Sequence, residues 1–337
     1  MTAQTDAAEV DAASPARGVR WLIAVVRTAR PRQWPKNLLV FAAPLAGESL
    51  GRPNGLVYAL VAAIAFGYAS MAVYFVNDVA DAERDRSHPR KRFRPVATGD
   101  LPKSHAVWLG VACALIGLSG GLLIREPLLV AAVGGYLTLS FLYSWVLKHI
   151  PVVELLFVAS GFLLRVLGGA AATHVRPSGW FLLVCSLGAL SVAIAKRYTE
   201  LSGSALEAIR HRPVMRWYRA GALRASQFVV ATLMIAAYLA WAAGERPEAR
   251  IWHLVSALPL AAALIRFAVL TGRRSSAPVE DLLIRDGPML TCEAAWLALF
   301  CAGLLKPPLC TRRAKINDLF SERTWARPSH SPAWRGE

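Results

Sequence analysis

Residues Asn77 to Gly99 read NDVADAERDRSHPRKRFRPVATG. Asp78 and Asp81 are three apart and Asp81 and Asp85 four apart, so the three carboxylates share one helical face. Asn77, four before Asp81, joins the edge of that face. Hard oxygen donors of this kind suit Mg²⁺, which usually takes one or two carboxylates plus phosphate oxygens. The competing reading is a helix end pairing its own charges, Asp81 with Arg84 and Asp85 with Arg84 or Arg86. Four ligand-type residues in register, followed by a basic run, favour the metal reading. Pro89 ends the helix, because proline forces the residue before it out of the helical region. Arg90, Lys91, Arg92 and Arg94 then enter a loop closed by Pro95 and Gly99. Such side chains donate to phosphate oxygens, and Arg grips two at once. Lys91 and Arg94 are the candidate phosphate ligands; the competing reading is a topology signal, which some of these bases serve.

Four further clusters hold polar groups beside apolar runs. The first is Arg30-Pro-Arg-Gln-Trp-Pro-Lys36-Asn37. There Trp34 suits an interfacial anchor, and Lys36 and Asn37 open a span where a polar cavity could lie. The second is Tyr143-Ser-Trp-Val-Leu-Lys148, then Pro151, Glu154 and Arg165. Glu154 and Arg165 are eleven apart, about three turns and roughly 16 Å along one helix face. An ionisable group inside a span is by default a functional hypothesis; the alternative is a buried polar pair with a neighbouring helix. The third is Lys196-Arg197-Tyr-Thr-Glu200, and the fourth Glu280-Asp281 with Arg285-Asp286. Taken singly, the last two also read as solvated helix ends.

The elements that must position these groups are membrane helices. The chain has 337 residues, 55% of them hydrophobic, and a mean hydropathy of +0.40. That exceeds what an ordinary soluble domain carries. Apolar runs of bilayer-crossing length recur throughout, so the expected class is an all-α polytopic bundle. Nine spans are expected, near 37–50, 55–77, 104–123, 127–147, 151–173, 178–196, 225–243, 252–271 and 288–305. Trp21 to Ala29 suits an interfacial helix before them. Residues 1–18, without the features of a signal peptide, and residues 307–337 read as disordered tails flanking a catalytic domain at 19–306. With the N-terminus inside, inner loops carry 24 Lys and Arg against 5 in outer loops. This firmly sets the N-terminus and the long charged loops in the cytoplasm. Nine spans leave the tail with Lys306, Arg312, Arg313 and Lys315 outside, against that rule. The bases behind the net charge of +16 fall between the spans, which argues for a topology signal and against nucleic acid as its explanation. The five cysteines form no CxxC pair and read as small buried hydrophobes.

The N-D-x-x-D-x-x-x-D of residues 77–85 resembles the first signature of the UbiA superfamily of intramembrane prenyltransferases. The extension His88-Pro89-x-Lys91-x-x-Arg94-Pro95-x-x-x-Gly99 resembles one branch of it, the phosphoribosyltransferases that act on decaprenyl phosphate. So do Arg30-Pro-Arg-Gln-Trp-x-Lys36-Asn37, Tyr143-Ser-x-x-Leu-Lys148, Ser160-Gly-Phe-Leu-Leu-Arg165, Lys196-Arg197-x-x-Glu200 and Leu283-x-Arg285-Asp286-x-Pro288. The resemblance covers about residues 28–305. It implies a nine-helix bundle around a cytoplasm-facing cavity in a bacterial plasma membrane. It also implies Mg²⁺-dependent transfer of 5-phosphoribose from phosphoribosyl pyrophosphate to a polyprenyl phosphate, a precursor step for cell-wall arabinan. Asn77, Asp78, Asp81 and Asp85 would then hold Mg²⁺ and pyrophosphate, with Lys91 and Arg94 neutralising phosphate. Lys36, His88, Tyr143, Lys148, Glu154, Arg165, Lys196, Arg197, Glu200, Arg285 and Asp286 would contact substrate. The other expected partner is membrane lipid, and a homo-oligomer is allowed.

Two departures matter. The branch usually has Asp where this chain has Glu154, and the second acidic motif of prenyltransferases is missing from spans five and six. Two alternatives stay open: transfer of an isoprenoid from its diphosphate to a small acceptor, and a transporter or scaffold. The missing second motif and the His88-Pro89-x-Lys91 extension disfavour the first. The absence of an internal repeat and of midplane polar clusters disfavours the second.

Overall fold

The structure is a computed structural model that describes residues 15–89, 91–145, 150–203, 206, 209, 213–245, 247–272 and 285–305. The expectations for most of the N-terminal tail, for residues 306–337, and for Lys148, Glu280 and Asp281 fall outside these residues.

Helix α1 (Pro15–Ala29) turns Ala24, Thr28 and Ala29 inward and leaves Val19, Leu22, Ile23 and Val26 exposed. Its apolar outer face and Arg20 and Arg27 fit the expected interfacial helix. The chain breaks at Arg30, whose φ of 53° is left-handed, and continues as a 3₁₀ helix, Pro31–Phe41. Helix α2 (Ala42–Ala46) follows directly. Next come α3 (Gly55–Arg86), a 3₁₀ turn at Lys91–Phe93, the short α4 (Pro95–Thr98), α5 (Lys103–Leu123), α6 (Pro127–Trp145) and α7 (Val153–Ala172). The remaining helices are α8 (Gly179–Gly203), α9 (Ala220–Ala243), α10 (Pro247–Gly272) and α11 (Gly287–Leu304).

Eight of these, α3 and α5 to α11, are long and apolar enough to cross a membrane. The first expected span, 37–50, is not among them. It overlaps the 3₁₀ helix and α2 instead. Pro35 just before it and Pro44 within it lack backbone donors, and a regular α-helix is not sustained. A 3₁₀ helix rises about 2.0 Å per residue, so the irregular segment still spans roughly 30 Å with α2.

Sequence neighbours pack side by side: α3 on α5, α6 on α7, α7 on α8, α8 on α9, and α10 on α11. The main core gathers on the alanine stripe of α3 (Ala62, Ala65, Ala69, Ala72) with Phe66, Phe75, Leu129 and Val133. Small residues let helices approach closely without a hydrophobic drive between them. The tightest contact is at Gly169 of α7, where a Cβ would lie 1.8 Å from the Val40 carbonyl oxygen. That approach seats the 3₁₀ helix against α7. At one end of the bundle His174 meets Glu126 at 3.0 Å. The polar clusters lie at the other end.

Candidate active site

At that end α3 extends beyond its apolar stretch and carries the acidic residues. Asp78 and Asp85 are two turns apart, close to one line on the helix. Both are buried, and one Nη1 of Arg94 joins them, at 3.2 Å from Asp78 and 2.7 Å from Asp85. Arg30 donates a second ion pair to the same Asp78 oxygen. Asp81 points partly outward and pairs with Arg84. The local charge-pair reading therefore applies to Asp81, whereas Asp78 and Asp85 reach bases from distant segments.

Those segments are held in place by backbone contacts. Arg30 sits at the left-handed break after α1 and stacks 4.9 Å from the Tyr74 ring centre. Arg94 follows a turn in which the Lys91 amide donates to His88 Nδ1 at 3.3 Å. Arg27 donates to the Phe93 carbonyl and Arg86 to the Ala97 carbonyl. The left-handed φ of 91° at Gly99 closes α4, a conformation glycine adopts without strain. His88 thus shapes the basic loop, and Lys91 lies half-buried within it.

A cavity of about 220 Å³ opens at Asn77, the residue before Asp78. Lys36, Asn77, Tyr136, Tyr143 and Arg165 line it, together with apolar Val73, Phe157 and Phe162. Asn77 Oδ1 is buried without a hydrogen-bond partner. Arg165 is held by four bonds: Nε to Asn37 Oδ1 at 2.9 Å, Nη1 to the Gly161 carbonyl at 2.7 Å, and Nη2 to Ser70 Oγ at 2.8 Å and the Tyr136 hydroxyl at 3.2 Å.

A second buried network flanks the cavity. Arg197 of α8 donates to Glu154 Oε1 at 2.9 Å, to Glu200 Oε2 at 2.7 Å and to the Tyr143 hydroxyl at 3.3 Å. It ties α6, α7 and α8 together through a fully buried Glu154. Glu154 and Arg165 share a face of α7 but engage different partners. Next to them, Val152 holds a left-handed φ of 64°, and its amide donates to the Tyr218 hydroxyl at 2.9 Å. Burial pushes that hydroxyl above its ordinary pKa, so it stays protonated at neutral pH.

The structure brings Lys36, Asn77, Tyr143 and Arg165 to one cavity; the Asp78–Arg94–Asp85 bridge adjoins it through Asn77, and Glu154, Arg197 and Glu200 adjoin it through Tyr143. It does not bring Asp286 there. That carboxylate caps α11 through the Met289 amide at 2.9 Å and pairs with Arg266 at 2.9 and 2.8 Å. Arg285 next to it is exposed, and Lys196 is half-buried on α8 outside the cavity lining. Sequence reasoning missed Ser70 and Tyr136, single polar residues in long apolar runs that carry no local signal. Arg30 stood in a motif and was not singled out, because nothing in sequence links it to a carboxylate 48 residues away.

Among the described residues no three His, Cys, Asp or Glu side chains form a ready-made metal cage. The donor set still fits Mg²⁺, which completes its shell with water and phosphate oxygens. Asp78 and Asp85 are hard donors, and Asn77, whose Oδ1 is buried without a partner, lines the open cavity.

Comparison with known proteins agrees with this architecture. Residues 38–285 match the UbiA prenyltransferase family. A decaprenyl-phosphate phosphoribosyltransferase of Mycobacterium tuberculosis is 36% identical over 284 residues, covering 83% of this chain and 94% of the relative. One from Corynebacterium glutamicum is 34% identical, covering 82% and 85%. Among solved structures, a UbiA homolog from Archaeoglobus fulgidus bound to GPP and Mg²⁺ superposes with a TM-score of 0.64 at 15% identity, covering 83% of this chain and 98% of that one. A UbiA homolog from Aeropyrum pernix gives 0.57 at 20% identity, covering 79% and 98%. The irregular first segment, the eight apolar helices and the acidic end of α3 are thus those of a multi-pass membrane protein that belongs to the UbiA prenyltransferase family.

Proposed function

We propose that this protein transfers 5-phosphoribose from phosphoribosyl pyrophosphate to a polyprenyl phosphate, releasing pyrophosphate. The observation that carries the reading is the Asp78–Arg94–Asp85 bridge, met by Arg30, which adjoins a polar cavity through Asn77. The named activity of relatives that align over most of their length supports the choice of substrates.

Asp78, Asp85 and Asn77 would hold Mg²⁺, with Asp81 at the edge of the set. Bound there, the metal supplies positive charge to the departing pyrophosphate. Arg94 and Arg30 already sit at those carboxylates and can transfer their N–H donors to phosphate oxygens. Lys91, in the same loop, adds a further cation. Charge set in place before reaction is usually the largest catalytic term. As the C1–O bond to pyrophosphate breaks, positive charge develops on ribose C1. An oxygen of the acceptor phosphate attacks the opposite face, forming the new C1–O bond and inverting C1. That oxygen is already anionic, so no strong general base is required. The apolar walls of the bundle hold the prenyl tail. The charge distribution between loops supports placing this end in the cytoplasm of a bacterial plasma membrane.

The test uses membranes carrying the full-length protein, labelled phosphoribosyl pyrophosphate and a polyprenyl phosphate. Label should enter the lipid phase only with Mg²⁺, and EDTA should stop it. Consumption of a prenyl diphosphate with no label in lipid would replace this reading by isoprenoid transfer.

A further inference from the structure

Arg165 carries a charge that the protein does not balance. Its side chain is 5% exposed, and the four groups it bonds, from Asn37, Gly161, Ser70 and Tyr136, are all neutral. Arg30, Arg94, Arg197 and Arg266 each meet a carboxylate. Among the described residues, none stands within ion-pair distance of Arg165. A guanidinium does not shed its proton in a protein, and an uncompensated charge inside a bundle is costly. The group nevertheless lines the cavity, together with Lys36.

We propose that the part of this cavity lined by Arg165 and Tyr136, with Ser70 and Asn37 bonded to the guanidinium behind them, is a subsite for a phosphate monoester. Four of the five guanidinium N–H groups are committed to protein acceptors, which fixes the plane of the group. One N–H on Nη1 remains. The Ser70 hydroxyl donates to the Phe66 carbonyl at 2.7 Å, so its contact with Tyr136 uses the Tyr136 proton, at 3.3 Å. That long bond is readily exchanged for an anionic oxygen. The subsite thus offers a fixed cation, a free N–H and a hydroxyl. A monoester dianion supplies the missing charge, whereas an isoprenoid tail in the same place would leave it uncompensated. Asn77 lines the cavity and adjoins Asp78, so the subsite is continuous with the acidic end and distinct from it. The inference rests on the proposed transfer only in its choice of ligand: both substrates carry a monoester, the ribose 5-phosphate of the donor and the phosphate of the acceptor.

The experiment titrates full-length protein in lipid nanodiscs, without Mg²⁺, with ribose 5-phosphate and separately with geranyl phosphate. Wild type should bind at least one. Arg165→Met should weaken that binding by about 30-fold or more, Arg165→Lys by less, and Tyr136→Phe by about fivefold. Size-exclusion profiles and unfolding temperatures check that each variant is folded. Tyr136→Phe removes one oxygen only and keeps the test decisive should Arg165→Met not fold. Loss confined to ribose 5-phosphate assigns the subsite to the donor, and loss confined to geranyl phosphate assigns it to the acceptor. Wild-type binding of neither monoester, or unchanged binding in Tyr136→Phe and Arg165→Lys, overturns the proposal. Phosphoribosyl transfer by wild type is measured separately. Its absence alongside Arg165-dependent binding would remove the reaction and leave the subsite.

Discussion

At the scale of single residues, sequence spacing located the acidic face but not its inner order. Three carboxylates at three- and four-residue steps share a face, yet only Asp78 and Asp85 fall on nearly one line, two turns apart. They turn inward to Arg94, while Asp81 turns out to Arg84. That difference gives a graded prediction. Asp78→Asn and Asp85→Asn should each lower transfer by about 10²-fold or more, because each removes charge at the leaving group. Asp81→Asn should cost less. Activity measured beside unfolding temperature separates this from loss of fold, and full activity in both inner variants would sink the metal assignment. The Arg197 network predicts a different outcome. Glu154→Gln leaves a buried guanidinium with only Glu200 as its charged partner, and breaking such a pair costs about 3–5 kcal/mol. Glu154→Asp keeps the charge on a shorter arm and should lose less. Denaturation in detergent would rank the three proteins, and equal stability would refute the structural role of the pair.

At the scale of elements, the eight regular helices were legible because each is a long apolar run bounded by turn residues and charge. The first span was not. Its apolar residues read as a short helix, and nothing local indicates that Pro31–Phe41 winds as a 3₁₀ helix held by α7. The cause is tertiary: Gly169 admits the Val40 carbonyl, which in turn sets Asn37 against Arg165. A methyl group there would lie 1.8 Å from that oxygen, so the segment must shift. Gly169→Ala should destabilise the bundle by about 1–3 kcal/mol, the usual cost of overpacking. It should also lower activity, since Lys36 and Asn37 move with the segment. Unfolding temperature and transfer rate measured together test this. A variant as stable and active as wild type would show that the segment sits farther from α7.

At the scale of the whole molecule, the polar groups gather at one end and the bundle presents short loops at the other. His174 and Glu126 mark the second end, and the Asp78–Arg94–Asp85 bridge marks the first. The excess of Lys and Arg in the loops of the first end is the ground for the proposed orientation, because basic loops are retained on the cytoplasmic side. The proposed reaction fits this arrangement: a charged phosphosugar donor would be met from the aqueous side where the acids and bases stand, while the prenyl acceptor would arrive through lipid. Labelling separates this arrangement from its inverse. Ser87 follows α3 at the polar end and is exposed; Arg176 lies in the loop after α7 at the opposite end and is also exposed. In intact cells a membrane-impermeant thiol reagent should modify Arg176→Cys and spare Ser87→Cys until the membrane is opened. Both variants are made with Cys310 of the C-terminal tail replaced by Ser; Cys113 is buried, and Cys185, Cys292 and Cys301 sit within apolar helices, so background from them should be low. Labelling of Ser87→Cys in sealed cells, with Arg176→Cys protected, would turn the bundle over and place the acidic cavity outside.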